Sequence, residues 1–216
     1  MLNLTDVRSF VKICGVTSID DAHAVSEAGA DAIGLIFAQS RRQLSVEKAH
    51  EIASVTKGSI LRVGVFRNNS ADFVLRSVDG SGVDVAQVHG ALSDELIAAL
   101  RSRHVDIIKA LSVDSDEFFQ FEDLKVDAVL VDGPAPGSGQ THAWHDLARR
   151  QFTRPVIAAG GLTDLNVAAV LETTNAWGVD VSSGVESAPG VKDLSRVADF
   201  VRSARSYFDQ REELHG

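Results

Sequence analysis

Short apolar, β-branched runs alternate with helix-period segments along the whole chain, and that alternation leaves few folds open. Strands are expected over residues 9–14, 31–37, 60–66, 83–88, 105–111, 127–132, 155–159 and 177–182. Amphipathic segments lie near 18–29, 45–56, 70–78, 93–103, 114–123, 144–150, 163–173 and 192–208. Strands separated by helices imply βαβ units and a parallel sheet. Eight such units in 216 residues, with no Pro/Gly/Ser-rich linker, predict an α/β protein: a single-domain (β/α)8 (TIM) barrel over residues 1–216. A doubly wound sheet is the runner-up. It usually carries G-x-G-x-x-G after its first strand, and none stands there.

Aspartates punctuate the pattern. Asp31, Asp84, Asp106, Asp127 and Asp180 each follow a small or apolar residue near the start of a strand. The expectation is local chemistry, with Asp ending the preceding helix and capping the strand bottom. Asp180 is set apart because Ser182-Ser183-Gly184 follows it closely. The charged stretch from Asp209 to Leu214 is expected to cap or fray from the last helix.

A net charge of −9 argues against binding nucleic acid through a basic face. It leaves room for a small anionic substrate held by backbone N–H groups. The single cysteine rules out an intrachain disulfide and suits a reducing compartment. The N-terminus lacks the pattern of a signal peptide, and no apolar run reaches about 18 residues. A cytoplasmic protein without membrane partners is expected.

A barrel places its chemistry at the C-terminal ends of the strands. The side chains expected there include Cys14 after the first strand, Arg41 and Arg42 after the second, and Arg67 after the third. Gln87 and His89 follow the fourth as candidate substrate contacts, Lys109 lies near the end of the fifth, and Asp132 ends the sixth. Gly160 and Gly161 follow the seventh, and Ser182, Ser183 and Gly184 follow the eighth. These last two loops are where phosphate sites recur in such barrels, so all five residues are candidate phosphate ligands. Thr163 or Asp164 is expected to cap the helix that follows Gly161.

Cys14 has two readings. It is a small buried hydrophobe, or it is a thiolate base working with Asp132 as a carboxylic acid. Asp132 in turn is either a turn former before Gly133 or that acid. A Cys14–His89 hydrolase pair is the rival chemistry. Lys12 is expected on the strand face opposite Cys14, which leaves open what lowers the thiol's pKa. Either arginine could grip a carboxylate through its planar fork. No Cys/His cluster indicates a metal.

Five segments together resemble the phosphoribosylanthranilate isomerase family of tryptophan biosynthesis. They are Val11 to Thr17, Gly64 to Asn68, Gln87 to Gly90, Ala159 to Leu162 and Gly178 to Glu186, and the resemblance covers nearly the whole chain. It implies a (β/α)8 barrel and an Amadori rearrangement of N-(5-phosphoribosyl)anthranilate, run without metal or organic cofactor. In that reading Cys14 is the general base and Asp132 the general acid. Arg42 holds the anthranilate carboxylate, with Arg41 as its alternative, and the two glycine-bearing loops hold the phosphate. The chain departs from the family where His142-Ala143 stands in place of Phe-Asp before Trp144. Its partner is thus a small phosphorylated substrate, in a monomer or homodimer. Two alternatives remain: a sugar-phosphate-binding barrel without catalysis, and side activity on the aminoaldose of histidine biosynthesis.

Overall fold

The computed structural model describes residues 3–113, 115–119, 125–133, 144, 147 and 153–215. Eight parallel strands close into a barrel: β1 (Phe10–Cys14), β2 (Ala32–Ile36), β3 (Leu61–Arg67), β4 (Val85–His89), β5 (Asp106–Ser112), β6 (Ala128–Asp132), β7 (Val156–Ala159) and β8 (Gly178–Val181). The closing seam pairs β8 with β1, setting Lys12 opposite Asp180. Around the barrel lie α1 (Ile19–Glu27), α2 (Val46–Val55), α3 (Ala71–Ser81), α4 (Asp94–Arg101), α5 (Val167–Thr174) and α6 (Leu194–His215).

Local chemistry explains the helix starts. Ser18, Ser45, Ser70 and Ser93 cap α1 to α4, each side chain accepting from the backbone N–H three residues on. Each such cap contributes about 0.5–2 kcal/mol. Three helical expectations change. Within the segment 114–123, the described residues form only a 3-10 turn, Asp116–Phe119. α5 starts at Val167 with Asn166 as its cap residue, rather than at Thr163 or Asp164. The last helix begins at Leu194 and runs through the charged tail to His215. The predicted segment 144–150 and the loop from Pro134 to Ala143 lie outside the described residues, apart from Trp144 and Leu147.

An unexpected antiparallel hairpin follows β8. It consists of β9 (Glu186–Ala188) and β10 (Val191–Lys192), with Lys192 opposite Glu186. Pro189-Gly190 turns it, and Gly190 has φ +84°. A Pro-Gly pair is a turn signal that the helical periodicity of 192–208 obscured.

Strand alternation splits the apolar side chains into two layers. Val11, Ile13, Ile33, Leu35, Val129 and Val131 face the helices. Phe10, Val63, Val85, Ile108, Leu130 and Ile157 fill the barrel interior. Leu4, on a short 3-10 turn (Leu4–Asp6), packs into this inner cluster, and Phe10 stacks on Trp177 with ring centroids 5.1 Å apart. Full burial of one such side chain is worth about 1.5–3 kcal/mol.

The aspartates cap strands by reaching sideways. Asp31 accepts from Val11 N (2.7 Å), Asp84 from Arg62 N (3.0 Å) and Asp127 from Ile107 N (2.7 Å). Asp106 accepts from Leu4 N at 2.9 Å, tying the N-terminal turn to the barrel. Asp180 breaks the pattern and points into the interior, where it meets Lys12.

Candidate active site

A cavity of about 330 Å³ opens at the C-terminal ends of the strands. Cys14 and Asp132 line it from β1 and β6, on different sides of the barrel. Gln87 and His89 contribute from β4, and Arg42 from the loop after β2. Gly160, Gly161, Ser182, Ser183 and Gly184 form part of its rim. Ten of the eleven predicted site residues thus share one cavity. Arg41 is the exception: it is exposed and does not line the cavity, while its neighbour Arg42 is drawn inward by Glu186. Arg67 joins the lining. Lys109 does not: its side chain leaves the outer barrel face to donate to the Gly90 carbonyl (2.5 Å) and pair with Glu117 (2.8 Å).

Cys14 is 6% exposed. Burial pushes its thiol pKa up from 9.0, against the opposing charges of Lys12 and Lys192, while the Asp180 charge adds to the rise. The expectation that Lys12 faces away from Cys14 is overturned. Residues two apart on a strand share a face. Both therefore point into the barrel, where Lys12 is fully buried and donates to Asp180 Oδ1 at 2.8 Å. Burial alone would lower the Lys12 pKa, but the charges of Asp180 and Cys14 hold it above 10.5. Lys12 is thus a fixed cation beneath the thiol.

Asp132 is half-buried, and its carboxyl is raised above 3.8, first by burial and then by the Asp180 charge. That direction suits a group that must donate a proton near neutral pH. His89 is driven the other way, to about 4, by burial and by Arg67, Lys12 and Lys109. It is therefore neutral near pH 7. Its Nε2 lies 3.1 Å from Gln87 Nε2, an arrangement that engages Gln87 rather than the thiol.

The phosphate-type loops depend on glycine. Gly160 and Gly161 have φ of +88° and +67°, a region costly for side-chain-bearing residues. A Cβ on Gly184 would run into the Leu162 carbonyl oxygen, so the two loops can touch only because Gly184 has none. Asn166 braces the first loop, accepting from Thr163 N at 2.7 Å and donating to Gly161 O at 3.0 Å. Among the described residues, Gln87 Oε1 and Ser182 Oγ are buried without a hydrogen-bond partner. Both belong to cavity-lining residues.

Two residues escaped the sequence reading. Glu186 takes Arg42 in a bidentate pair, with Nε–Oε1 at 2.7 Å and Nη2–Oε2 at 2.6 Å. Lys192 donates to Cys14 O (2.6 Å), Ser182 O (3.2 Å) and Glu186 Oε1 (3.0 Å). Glu186 was visible only as the end of a motif. Lys192 gave no signal because its segment read as helix. Among the described residues, no group of three or more His, Cys, Asp or Glu side chains is placed to hold a metal ion.

Fold and cavity place the chain among the (β/α)8 enzymes, which work at the C-terminal face of the barrel. The family model for N-(5'-phosphoribosyl)anthranilate (PRA) isomerase matches residues 11–203, and the chain belongs to that family. A relative from Oceanobacillus iheyensis, N-(5'-phosphoribosyl)anthranilate isomerase, is 39% identical over 201 residues, covering 91% of this chain and 97% of its own length. A phosphoribosylanthranilate isomerase solved with reduced 1-(o-carboxyphenylamino)-1-deoxyribulose 5-phosphate superposes with a TM-score of 0.78 at 30% identity, covering 92% of this chain and 99% of that one. Monomers generated from the dimeric isomerase of Thermotoga maritima give a TM-score of 0.75 at 29% identity, covering 91% and 98%.

Proposed function

We propose that this barrel, as one domain over residues 1–216, converts N-(5'-phosphoribosyl)anthranilate to 1-(2-carboxyphenylamino)-1-deoxyribulose 5-phosphate, with Cys14 as base and Asp132 as acid. The reaction is an isomerisation in tryptophan biosynthesis, the activity of its family. The observation that carries the assignment of roles is the placement of Cys14 and Asp132 on different walls of one cavity that also has the two glycine-bearing loops at its rim.

The chemistry balances with these two groups. Asp132 gives its proton to the furanose ring oxygen as the C1–O bond breaks. The nitrogen lone pair forms the C1=N bond, giving a protonated Schiff base. The Cys14 thiolate removes the C2 proton, and those electrons make the C1–C2 double bond of an enolamine. Tautomerisation gives the ketone. Each acid or base of this kind typically contributes about 10²–10⁴-fold. Arg42 would hold the anthranilate carboxylate, and Gly160, Gly161, Ser182, Ser183 and Gly184 the phosphate. Anchoring at both ends supplies orientation. Gln87 and His89 would contact the substrate between them, with the unpartnered Gln87 Oε1 as an acceptor.

The carboxyl pKa starts from 3.8 and the thiol from 9.0, and both move up. Burial thus favours the protonated carboxyl that the acid role needs and disfavours the thiolate that the base role needs, so the thiolate is the minor form near neutral pH. Near neutral pH the enzyme works through that minor form, which makes every charge near Cys14 count. A neutral His89 engaged with Gln87 gives the Cys–His hydrolase reading no support.

Among the described residues no helix is long and apolar enough to cross a membrane. With a net charge of −9 and one cysteine, this supports a cytoplasmic enzyme without nucleic-acid partners, acting as a monomer or homodimer. The test is a fluorescence assay on freshly prepared phosphoribosylanthranilate, comparing the wild type with Cys14→Ser. Loss of most turnover is expected, and full activity overturns the role of the thiol.

A further inference from the structure

The hairpin formed by β9 and β10 lies outside the eight-stranded barrel, and its two facing side chains are buried charges. Glu186 is 7% exposed and Lys192 is 5% exposed. Burying an ion pair costs several kcal/mol per ion in desolvation, and an apolar pair would pack as well at lower cost. What the charges touch explains their presence. We propose that Glu186 and Lys192 are a positioning pair that orients Arg42 toward the substrate carboxylate and keeps the cluster around that anchor net positive. This rests on Arg42 being the carboxylate anchor.

Orientation comes from Glu186. Its two oxygens take Nε and Nη2 of Arg42 along one edge, at 2.7 and 2.6 Å. A bidentate contact fixes the guanidinium plane as well as its position. Among the described residues, Nη1 and the second Nη2 hydrogen of Arg42, a cavity-lining residue, have no protein partner. Burial alone would push the Glu186 carboxyl up, but hydrogen bonds from Arg42 and Lys192 outweigh it and hold the group below 4.5. Glu186 is therefore charged at any pH near neutrality.

That charge creates a problem which Lys192 solves. Arg42 and Glu186 alone sum to zero, a poor partner for a carboxylate. Lys192 restores one positive charge to the cluster through its 3.0 Å bond to Glu186 Oε1. Its remaining two donors go to the carbonyls of Cys14 (2.6 Å) and Ser182 (3.2 Å). An ammonium has three N–H donors, so Lys192 has none left for substrate. It positions rather than binds, and it anchors the cluster to the ends of β1 and β8.

The test compares two inhibitors. One is reduced 1-(2-carboxyphenylamino)-1-deoxyribulose 5-phosphate, and the other is the same molecule without its carboxyl. Wild type is expected to prefer the carboxylated compound, and Arg42→Ala to abolish the preference. Lys192→Met is expected to shrink it about 10- to 100-fold, the scale of a charged hydrogen bond, and Glu186→Gln, which loosens the guanidinium but leaves the cluster more positive, to shrink it less, while affinity for the carboxyl-free compound holds. Equal loss for both compounds indicates a general structural role and overturns the proposal. An undiminished preference in Arg42→Ala overturns the anchor reading instead, and the proposal with it. Should either single variant fail to fold, Glu186→Gln/Lys192→Met leaves no lone buried charge, and a wild-type preference in that double variant refutes the pair.

Discussion

Replacing Lys12 by Met tests whether a buried cation supplies the thiolate. Lys12 is fully buried and shares the inward face of β1 with Cys14. A unit charge within a few ångströms at an effective dielectric of about 20 is worth about 3–4 kcal/mol. Asp180, 2.8 Å from the ammonium, offsets part of this. The net expectation is a higher thiol pKa in Lys12→Met, because the charge that opposes the effect of burial is gone. If Cys14 acts as a thiolate, as proposed, kcat/KM near pH 7 should fall about 10- to 100-fold once the partly offset charge is removed. The alkaline limb of the pH profile should move up with the thiol. Both come from steady-state fluorescence assays between pH 5 and 10. Breaking the buried pair costs about 3–5 kcal/mol of stability, so Lys12→Met/Asp180→Asn serves as the folding background. A lower plateau with an unmoved alkaline limb would refute the reasoning, because Lys12 would then act through packing alone.

Asp132→Asn should lower kcat by about 10²–10⁴-fold while the reduced product analogue still binds, as followed by competition. If binding falls in step with turnover, Asp132 positions substrate rather than donating a proton. Gly184→Ala forces the loop after β8 away from Leu162 by on the order of 1 Å, and KM should rise about 10-fold or more. The same variant should bind inorganic phosphate more weakly in an inhibition assay. Leu4→Ala opens a gap beneath the inner cluster, and chemical denaturation should show a loss of about 2–5 kcal/mol. Its kcat at moderate temperature should be unchanged, since Leu4 is at the opposite end of the barrel from the cavity.

The fold was legible because strand and helix periods differ, and every barrel strand lies within a residue or two of its expected bounds. The serines at 18, 45, 70 and 93 mark helix starts in the residues themselves. Cys14, Asp132 and the glycine-bearing loops were legible because barrel topology brings strand ends together. What escaped depends on side-chain reach. The spacing of Lys12 and Cys14 already put both on one face, and misreading that period hid the cation under the thiol. Glu186 and Lys192 meet Arg42 and Cys14 from more than 140 positions away, which no local pattern reports. Arg41 and Arg42 are neighbours with the same chemistry, and the structure separates them by the Glu186 contact that holds Arg42 in the cavity lining while Arg41 stays exposed.

The β8–β1 seam also sets a timetable. Cys14 and the lysine that grips its carbonyl are 178 positions apart. At a synthesis rate of about 5–20 residues per second, roughly 9–36 s pass between their additions to the chain. For all but the last of that interval β8 is unmade, the barrel cannot close, and Lys12 waits without Asp180. The thiol meanwhile lacks the walls that leave it 6% exposed in the closed barrel. The thiol is therefore at its most exposed before the barrel first closes, while its last strand is still to be made.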